Sequence, residues 1–280
     1  ANRRALTALV VFVAVFVLTL FAELIANDRP LLLKYNGKLY FPVLAEYTEQ
    51  EFGGDFPTPA DYRDEFVRQN IEKSGWMIMP PVPFSFNTVD YDLTTPTPAP
   101  PSSRHWLGTD DEGRDILARI LYGIRLSVVF AFLLTMVSSL IGISAGAVQG
   151  YFGGRVDIFM QRFMEIWESL PQLFILIIVA SIFVPTFWSL LIILMFFSWT
   201  SLTGMVRAEF LRARNLEYVK AAKALGVGNG RIIFRHILPN AVVTTVTFVP
   251  FILSEAIVAL TALDRSEERR VGKECRSRWS

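Results

Sequence analysis

Glu217-Tyr-Val-Lys-Ala-Ala-Lys-Ala-Leu-Gly226, continued by Arg231-Ile-Ile-Phe-Arg-His-Ile-Leu-Pro-Asn240, is a polar, basic island between two apolar stretches, each long enough to cross a bilayer. Residues 217 to 225 are mostly good helix formers, and Gly226 falls where a helix would stop. The pattern predicts a second short helix from Arg231 until Pro239 interrupts it. Ala221, Ala222 and Ala224 leave the first helix without bulk, which permits close approach by another surface. Pro239 then fixes the angle of re-entry into the membrane. A loop of this size with its own helix signals reads as a docking surface. The plainer alternative is an ordinary amphipathic loop between spans.

Working outward, 52% of the 280 residues are hydrophobic and the mean hydropathy is +0.39. Those values are too apolar for a typical soluble domain and suit an all-α membrane protein. The net charge of +1 gives no sign of a nucleic-acid partner. The distribution of charge says more: residues 207–240 hold seven Lys or Arg against two acids, which marks a cytoplasmic loop. Residues 27–104 hold seven basic and eleven acidic residues and are better placed outside. The single cysteine, Cys275, excludes an internal disulfide and a thiolate metal site, and no metal-ligand spacing is present. A GxxxxGK[ST] phosphate loop is also absent, so no cofactor is expected in this chain.

Five apolar stretches follow from the hydropathy. Residues 1–4 form a cytoplasmic N-terminus, and 5–26 form the first span, long enough for about 30 Å of hydrocarbon at about 1.5 Å per residue. A signal peptide is the competing reading of 5–26, but the run is long for one and Leu24-Ile25-Ala26 is a poor cleavage site. Residues 27–122 are an irregular, Pro-rich extracytoplasmic (periplasmic) insertion with a lead-in helix from about Ile116. Residues 123–264 are the core, with spans at about 126–147, 158–184, 187–205 and 241–263. Small residues in the second span, including Ser138, Ser139, Gly142, Ser144 and Gly146, let helices approach closely in lipid.

Three sets of polar residues stand out. In the run 105–115, Thr109 or Asp110 can cap a helix N-terminus, and the acids that follow suit its dipole. Arg162, Glu165 and Glu168 share one helical face and form either a pairing network or part of a gate or path. Glu255 lies about 21 Å along the fifth span, where an acid costs at least ~2 to 3 kcal/mol and must face a cavity or a partner. A translocation path and subunit packing both fit it.

The spacing of Glu217, Ala221, Ala222, Gly226, Leu238 and Pro239 resembles the EAA loop of importer-type ABC permeases. The position of Glu217 and the His236 in place of Ile resemble the peptide and nickel branch of that family. Leu107, Gly108, Thr109, Asp110, Gly113, Arg114 and Asp115 resemble the signature that precedes the permease core. Features of the insertion, including Gly53 to Asp64 and Gly75-Trp76, resemble YejE-type permeases, associated with oligopeptides and the antibiotic microcin C. The resemblance implies a helical bundle of the type I importer kind in the inner membrane, with a sixth span beyond the five present. It also implies a coupling loop in which Glu217, Tyr218, Ala221, Ala222, Leu225, Gly226, Leu238 and Pro239 meet an ATPase. Glu255, Glu165 and Glu168 are the candidates for the translocation path. The implied partners are a second homologous permease subunit, ABC ATPase subunits that bind ATP and Mg, a periplasmic substrate-binding protein and the bilayer.

A permease subunit that catalyses no reaction itself is therefore the expectation. The competing classes are an ion-coupled secondary transporter and a membrane sensor with an extracytoplasmic ligand domain. The first predicts an internal repeat, which is not evident. The second needs a cytoplasmic output module larger than residues 207–240 supply. Residues 265–280 break abruptly from the apolar text and resemble a translated sequencing adapter. On that reading the natural chain continues past Asp264, and the lack of an initiating Met points to truncation at the start.

Overall fold

The computed structural model of the protein describes residues 3–182 and 186–260; the expectations for 261–280, the adapter-like tail among them, and for the end of the third span at Val184 lie outside the described residues. The chain divides at Leu126 into two compact units.

In the first unit, α1 (Arg3–Leu20) is an apolar helix of spanning length, followed by the short α2 (Ala22–Ile25). The insertion is more regular than its composition predicts. Strands β1 (Leu32–Tyr35), β2 (Lys38–Tyr40) and β3 (Gly75–Ile78) form an antiparallel sheet in the order β2-β1-β3. Asn36 and Gly37 close the β1–β2 hairpin with φ of 49° and 80°, the two positive angles that a tight Asn-Gly turn requires. Helix α3 (Glu65–Ser74) is capped by Asp64, whose carboxylate accepts from the N–H groups of Phe66 (2.8 Å) and Val67 (3.3 Å). Phe52 is the hub of this core, edge-on to Tyr35, Tyr40, Tyr47 and Tyr62. This packing of aromatics substitutes for the aliphatic periodicity that would have signalled it.

The expected lead-in helix and second span are one helix, α4 (Ile116–Phe152), whose 37 residues span about 55 Å. Its start belongs to the first unit, where Ala118 and Leu121 are buried with Ala22, Ala26, Val82 and Phe84.

In the second unit, α4 runs against α7 (Phe187–Ala213) along a glycine ridge. A Cβ added at Gly142, Gly146 or Gly150 would fall 2.7, 2.6 and 2.4 Å from atoms of α7, so only hydrogen fits at these three positions. The third expected span is two helices, α5 (Gly154–Glu168) and α6 (Gln172–Ile182), broken ahead of Pro171. Asp157 of α5 grips Arg207 of α7 through two contacts, at 2.5 and 2.7 Å. The remaining elements are α8 (Glu217–Ala224), α9 (Asn229–Arg231), a π-helical segment (Ile232–Ile237), α10 (Leu238–Val246) and α11 (Val249–Leu260). The fifth expected span is therefore broken at Thr247–Phe248. Pro250 lies just inside α11, where its missing N–H is an orphan donor in any case.

Among the described residues, three helices are long and apolar enough to cross a membrane: α1, α4 and α7. The other two expected spans are the two that a proline divides.

Candidate functional site

Helix α8 is amphipathic on a small scale. Val219 and Ala222 turn inward to a core of Tyr151, Phe210, Ile232 and Ile237, while Glu217, Tyr218 and Ala221 face outward. Ala222 is small because it is packed against its own fold; the expectation that it lies open to another surface is corrected. Ala221 and Ala224 are the exposed small residues.

The helix ends in a paired-bond turn. Gly226 N–H donates to Lys223 O at 3.0 Å, Val227 N–H donates to Ala222 O at 3.1 Å, and Gly226 has φ +76°. No neighbour crowds Gly226, so glycine is needed there for its backbone angle alone. Leu225 beside it is 83% exposed. Two contacts fix the turn to α4: Tyr151 donates its O–H to Asn229 Oδ1 at 2.7 Å, and the Lys223 ammonium lies 4.7 Å from the centre of the Tyr151 ring.

The second half of the loop departs from expectation. The helix does not stop at Pro239, because the bonding widens from Ile232 to Ile237 and the chain continues into α10 with Pro239 in its first turn. Ile232 and Ile237 are both fully buried, and they lie five residues apart. In an α-helix such residues would point about 140° apart, whereas π bonding brings them onto one face. Phe234 is left 71% exposed on the other side. Leu238 is half-buried and Pro239 exposed.

A cavity of about 490 Å³ lies elsewhere in the second unit, with Trp167, Glu168, Ser198, Ser201, Ile252 and Glu255 among its lining residues. Glu168 and Glu255 are thus brought to one space. Glu165 is not; it forms a 2.5 Å ion pair with Arg162 on the exposed side of α5.

In the first unit the run 105–115 knits a buried polar cluster. His105, 2% exposed, points Nδ1 at Asp115 Oδ2 (2.8 Å) and Nε2 at Asp90 Oδ2 (3.0 Å). Both ring nitrogens can donate only in the imidazolium form. Asp90 also accepts from Arg63 at 3.1 Å. Burial pushes the Asp90 carboxyl up, but the hydrogen bonds from His105 and the Asp92 N–H, with the nearby Arg104 and Arg63, outweigh it and hold the group below the usual carboxylate range.

Asp110 is likewise raised by burial and lowered, with the larger net effect, by hydrogen bonds from the backbone and side chain of Arg114 and from the Glu112 N–H. It also pairs with Arg119. Neither Asp110 nor Thr109 caps α4. Asp115 does, accepting from Ala118 N–H at 2.9 Å, while Thr109 accepts from Ala99 N–H at 3.0 Å. Gly108 and Gly113 have φ near +80° and turn the loop; Leu107 is exposed. Asp90 and His105 had no role assigned from the sequence, since fifteen residues of loop separate them and no period links them.

Among the described residues no His, Cys, Asp and Glu side chains gather as a metal site.

The profile of the family described as "Binding-protein-dependent transport system inner membrane component" matches residues 138–264. The chain is 51% identical over 263 residues to "Inner membrane ABC transporter permease protein YejE" of Escherichia coli (strain K12), covering 94% of this chain and 77% of that one. It is 48% identical over 288 residues to "Peptidoglycan transport system permease protein YejE" of Agrobacterium fabrum, covering 94% and 75%. "Oligopeptide transport system permease protein OppC" of Bacillus subtilis is 34% identical over 185 residues, covering 64% of this chain and 61% of that one.

Proposed function

Since this chain belongs to the binding-protein-dependent transport system inner membrane components, an ABC permease family, we propose that it forms part of the path by which peptides or peptide-derived compounds enter the cell. The names of its relatives supply the substrate class: one is a peptidoglycan transport permease and another an oligopeptide permease. The chain is a multi-pass inner-membrane permease subunit, a transport component that leaves the competing readings of sensor and secondary transporter without support.

The proposal extends to partners and residues. A second permease subunit completes the path, an extracytoplasmic binding protein delivers substrate to the side that carries residues 27–122, and ATP and Mg reside in separate ATPase subunits. The coupling surface is made of Tyr218, Ala221, Leu225 and Phe234. One observation carries this: large apolar side chains are exposed at Leu225 and Phe234 while the residues between them are pinned to α4 and α7. Exposed apolar groups on a rigid base are suited to a partner's groove. Gly226, Leu238 and Pro239 shape that surface from behind, and Glu217 edges it. When the ATPases close, displacement of α8 would pass through the core it shares with α4 and α7 to the cavity at Glu168 and Glu255.

Cysteine placed at Ala221 or Leu225 in a Cys275→Ser background tests the reading. Each should crosslink to the co-expressed ATPase, and ATP-dependent uptake of a labelled oligopeptide should require both subunits. Crosslinking from Glu72 but from neither loop position would overturn the assigned surface.

A further inference from the structure

The first unit holds a larger cavity, about 820 Å³, that the coupling and path residues do not use. Small-ligand sites occupy about 300–1,000 Å³. Its lining combines apolar groups, Trp76, Met77, Pro80 and Phe84 among them, with the cations Arg63, Arg68 and Arg104 and the carboxylates Glu72 and Asp92; Glu72 is paired with Arg68 at 2.8 Å.

The cavity follows the edge of a strand. Gly75, Trp76 and Met77 are consecutive in β3 and all three line it, whereas side chains over one face of a strand would be every second residue. β3 is an outer strand, bonded on one side to β1. Such an edge offers N–H and C=O groups to an extended chain, the way peptides are added to sheets elsewhere.

The two arginines differ. Arg63 donates to Asp90 at 3.1 Å and to Val89 O at 3.4 Å, so it is committed to the polar cluster. The Arg104 side chain is half-exposed and its guanidinium carbon lies 5.5 Å from the centre of Phe84. Its nearest carboxylate oxygens, on Asp90 and Asp92, stand at 3.4 and 3.7 Å, too long for strong charge-assisted bonds. It is oriented by the ring, with Nε toward Asp90 and Nη2 toward Asp92, and its remaining N–H groups can meet a carboxylate. Tyr62 also lines the cavity, and its buried hydroxyl has no hydrogen-bond partner.

We propose that this cavity binds an extended peptide by its free C-terminal carboxylate, with the carboxylate on Arg104, the backbone along β3 and a terminal apolar side chain against Trp76 and Pro80. The choice of a peptide as ligand rests on the transport reading above.

The test measures binding of acetyl-Ala-Val-Ala-Phe, as the free acid and as the C-terminal amide, to the full chain in lipid nanodiscs. The acid should bind at least tenfold more tightly than the amide. Arg104→Gln should erase that preference, and Trp76→Ala should weaken both forms alike. Equal affinity of acid and amide, or no binding of either at millimolar concentration, overturns the site, and this comparison needs no mutant to fold. Uptake is read separately. ATP-dependent peptide uptake with no acid preference overturns the site alone, whereas acid-selective binding without such uptake overturns the transport reading alone.

Discussion

His105 Nδ1 lies 2.8 Å from Asp115 Oδ2 while the other oxygen of Asp115 caps α4, so one carboxylate joins a buried imidazole to the start of a 37-residue helix. Removing it should do two kinds of damage. Loss of a cap costs about 1 kcal/mol, and a buried group left without its hydrogen-bond partner costs about 1–3 kcal/mol. Both Asp115→Ala and Asp115→Asn remove the carboxylate beside His105, but Asn keeps an acceptor for Ala118, so the melting temperature of the purified protein should fall in both and further in Asp115→Ala. Equal losses from both would mean that the cap contributes nothing.

Acid should loosen the same unit. Asp90 and Asp110 both have folded values below the usual carboxylate range, so between those values and about 3.9 the unfolded chain binds more protons than the folded one. Their contribution is complete above the unfolded value and is lost as pH falls below about 4. Thermal melts from neutral pH downward should show no decline from these groups until about pH 5 and a steep one below. Asp110→Asn should flatten part of that decline; an unchanged slope would count against the assignment.

At the coupling loop, the side of α8 on which a charge is placed should decide what fails. Ala222→Asp buries a carboxylate among Phe210, Ile232 and Ile237, and should destabilise the loop itself, read as increased protease sensitivity there. Ala221→Asp, on the exposed side, should leave proteolysis unchanged and reduce recovery of the ATPase in a pull-down. Glu217→Ala should be mild, because its exposed 3.0 Å pair with Lys220 is worth about 1 kcal/mol or less.

Gly226 should tolerate alanine poorly and proline not at all. Its φ of +76° costs a side-chain-bearing residue about 1–2 kcal/mol. Proline cannot adopt that angle and also removes the N–H that bonds Lys223 O. Membrane insertion should be normal in both variants, with transport reduced in Gly226→Ala and abolished in Gly226→Pro. Wild-type uptake by Gly226→Pro would show that the turn is dispensable.

The glycine ridge offers a test inside the bundle. Gly146→Val would drive a branched side chain into Thr203 O and Val206, where even a single Cβ comes within 2.6 and 2.8 Å. Gly123→Val on the same helix has no neighbour at that distance. The first should yield aggregated protein on size-exclusion chromatography and the second should not; identical profiles would mean that α4 and α7 can separate freely.

Helices were legible in the sequence wherever composition and punctuation agreed. Helix α8 begins at Glu217 and stops ahead of Gly226, where propensity and the glycine point the same way. Prolines mislead in both directions. Pro239 looks like a helix terminator and instead lies in the first turn of α10, while Pro171 and Pro250 accompany breaks in stretches whose hydropathy is continuous. Hydropathy averages over such breaks, and a proline's effect depends on whether a neighbouring turn can release its bonds. The sheet and the Asp90–His105–Asp115 cluster were not legible, since they join loop positions through space with no period along the chain. The same holds for the meeting of Glu168 and Glu255, which belong to different helices.

The π-helical stretch from Ile232 to Ile237 makes chain length, as distinct from chemistry, a specified quantity in this loop. One residue is worth about 100° of rotation in a helix, and the wider π turn absorbs one residue more than α bonding would. At unchanged length, ordinary α bonding would swing Ile237 out of the core that Ile232 occupies and carry α10 round with it. Phe234 could be exchanged for another large apolar residue without disturbing that phase. The segment should thus accept substitution of Phe234, and a single deletion between Ile232 and Ile237 should be tolerated because it sets the two four residues apart in ordinary α bonding, whereas a single insertion should fail wherever it falls.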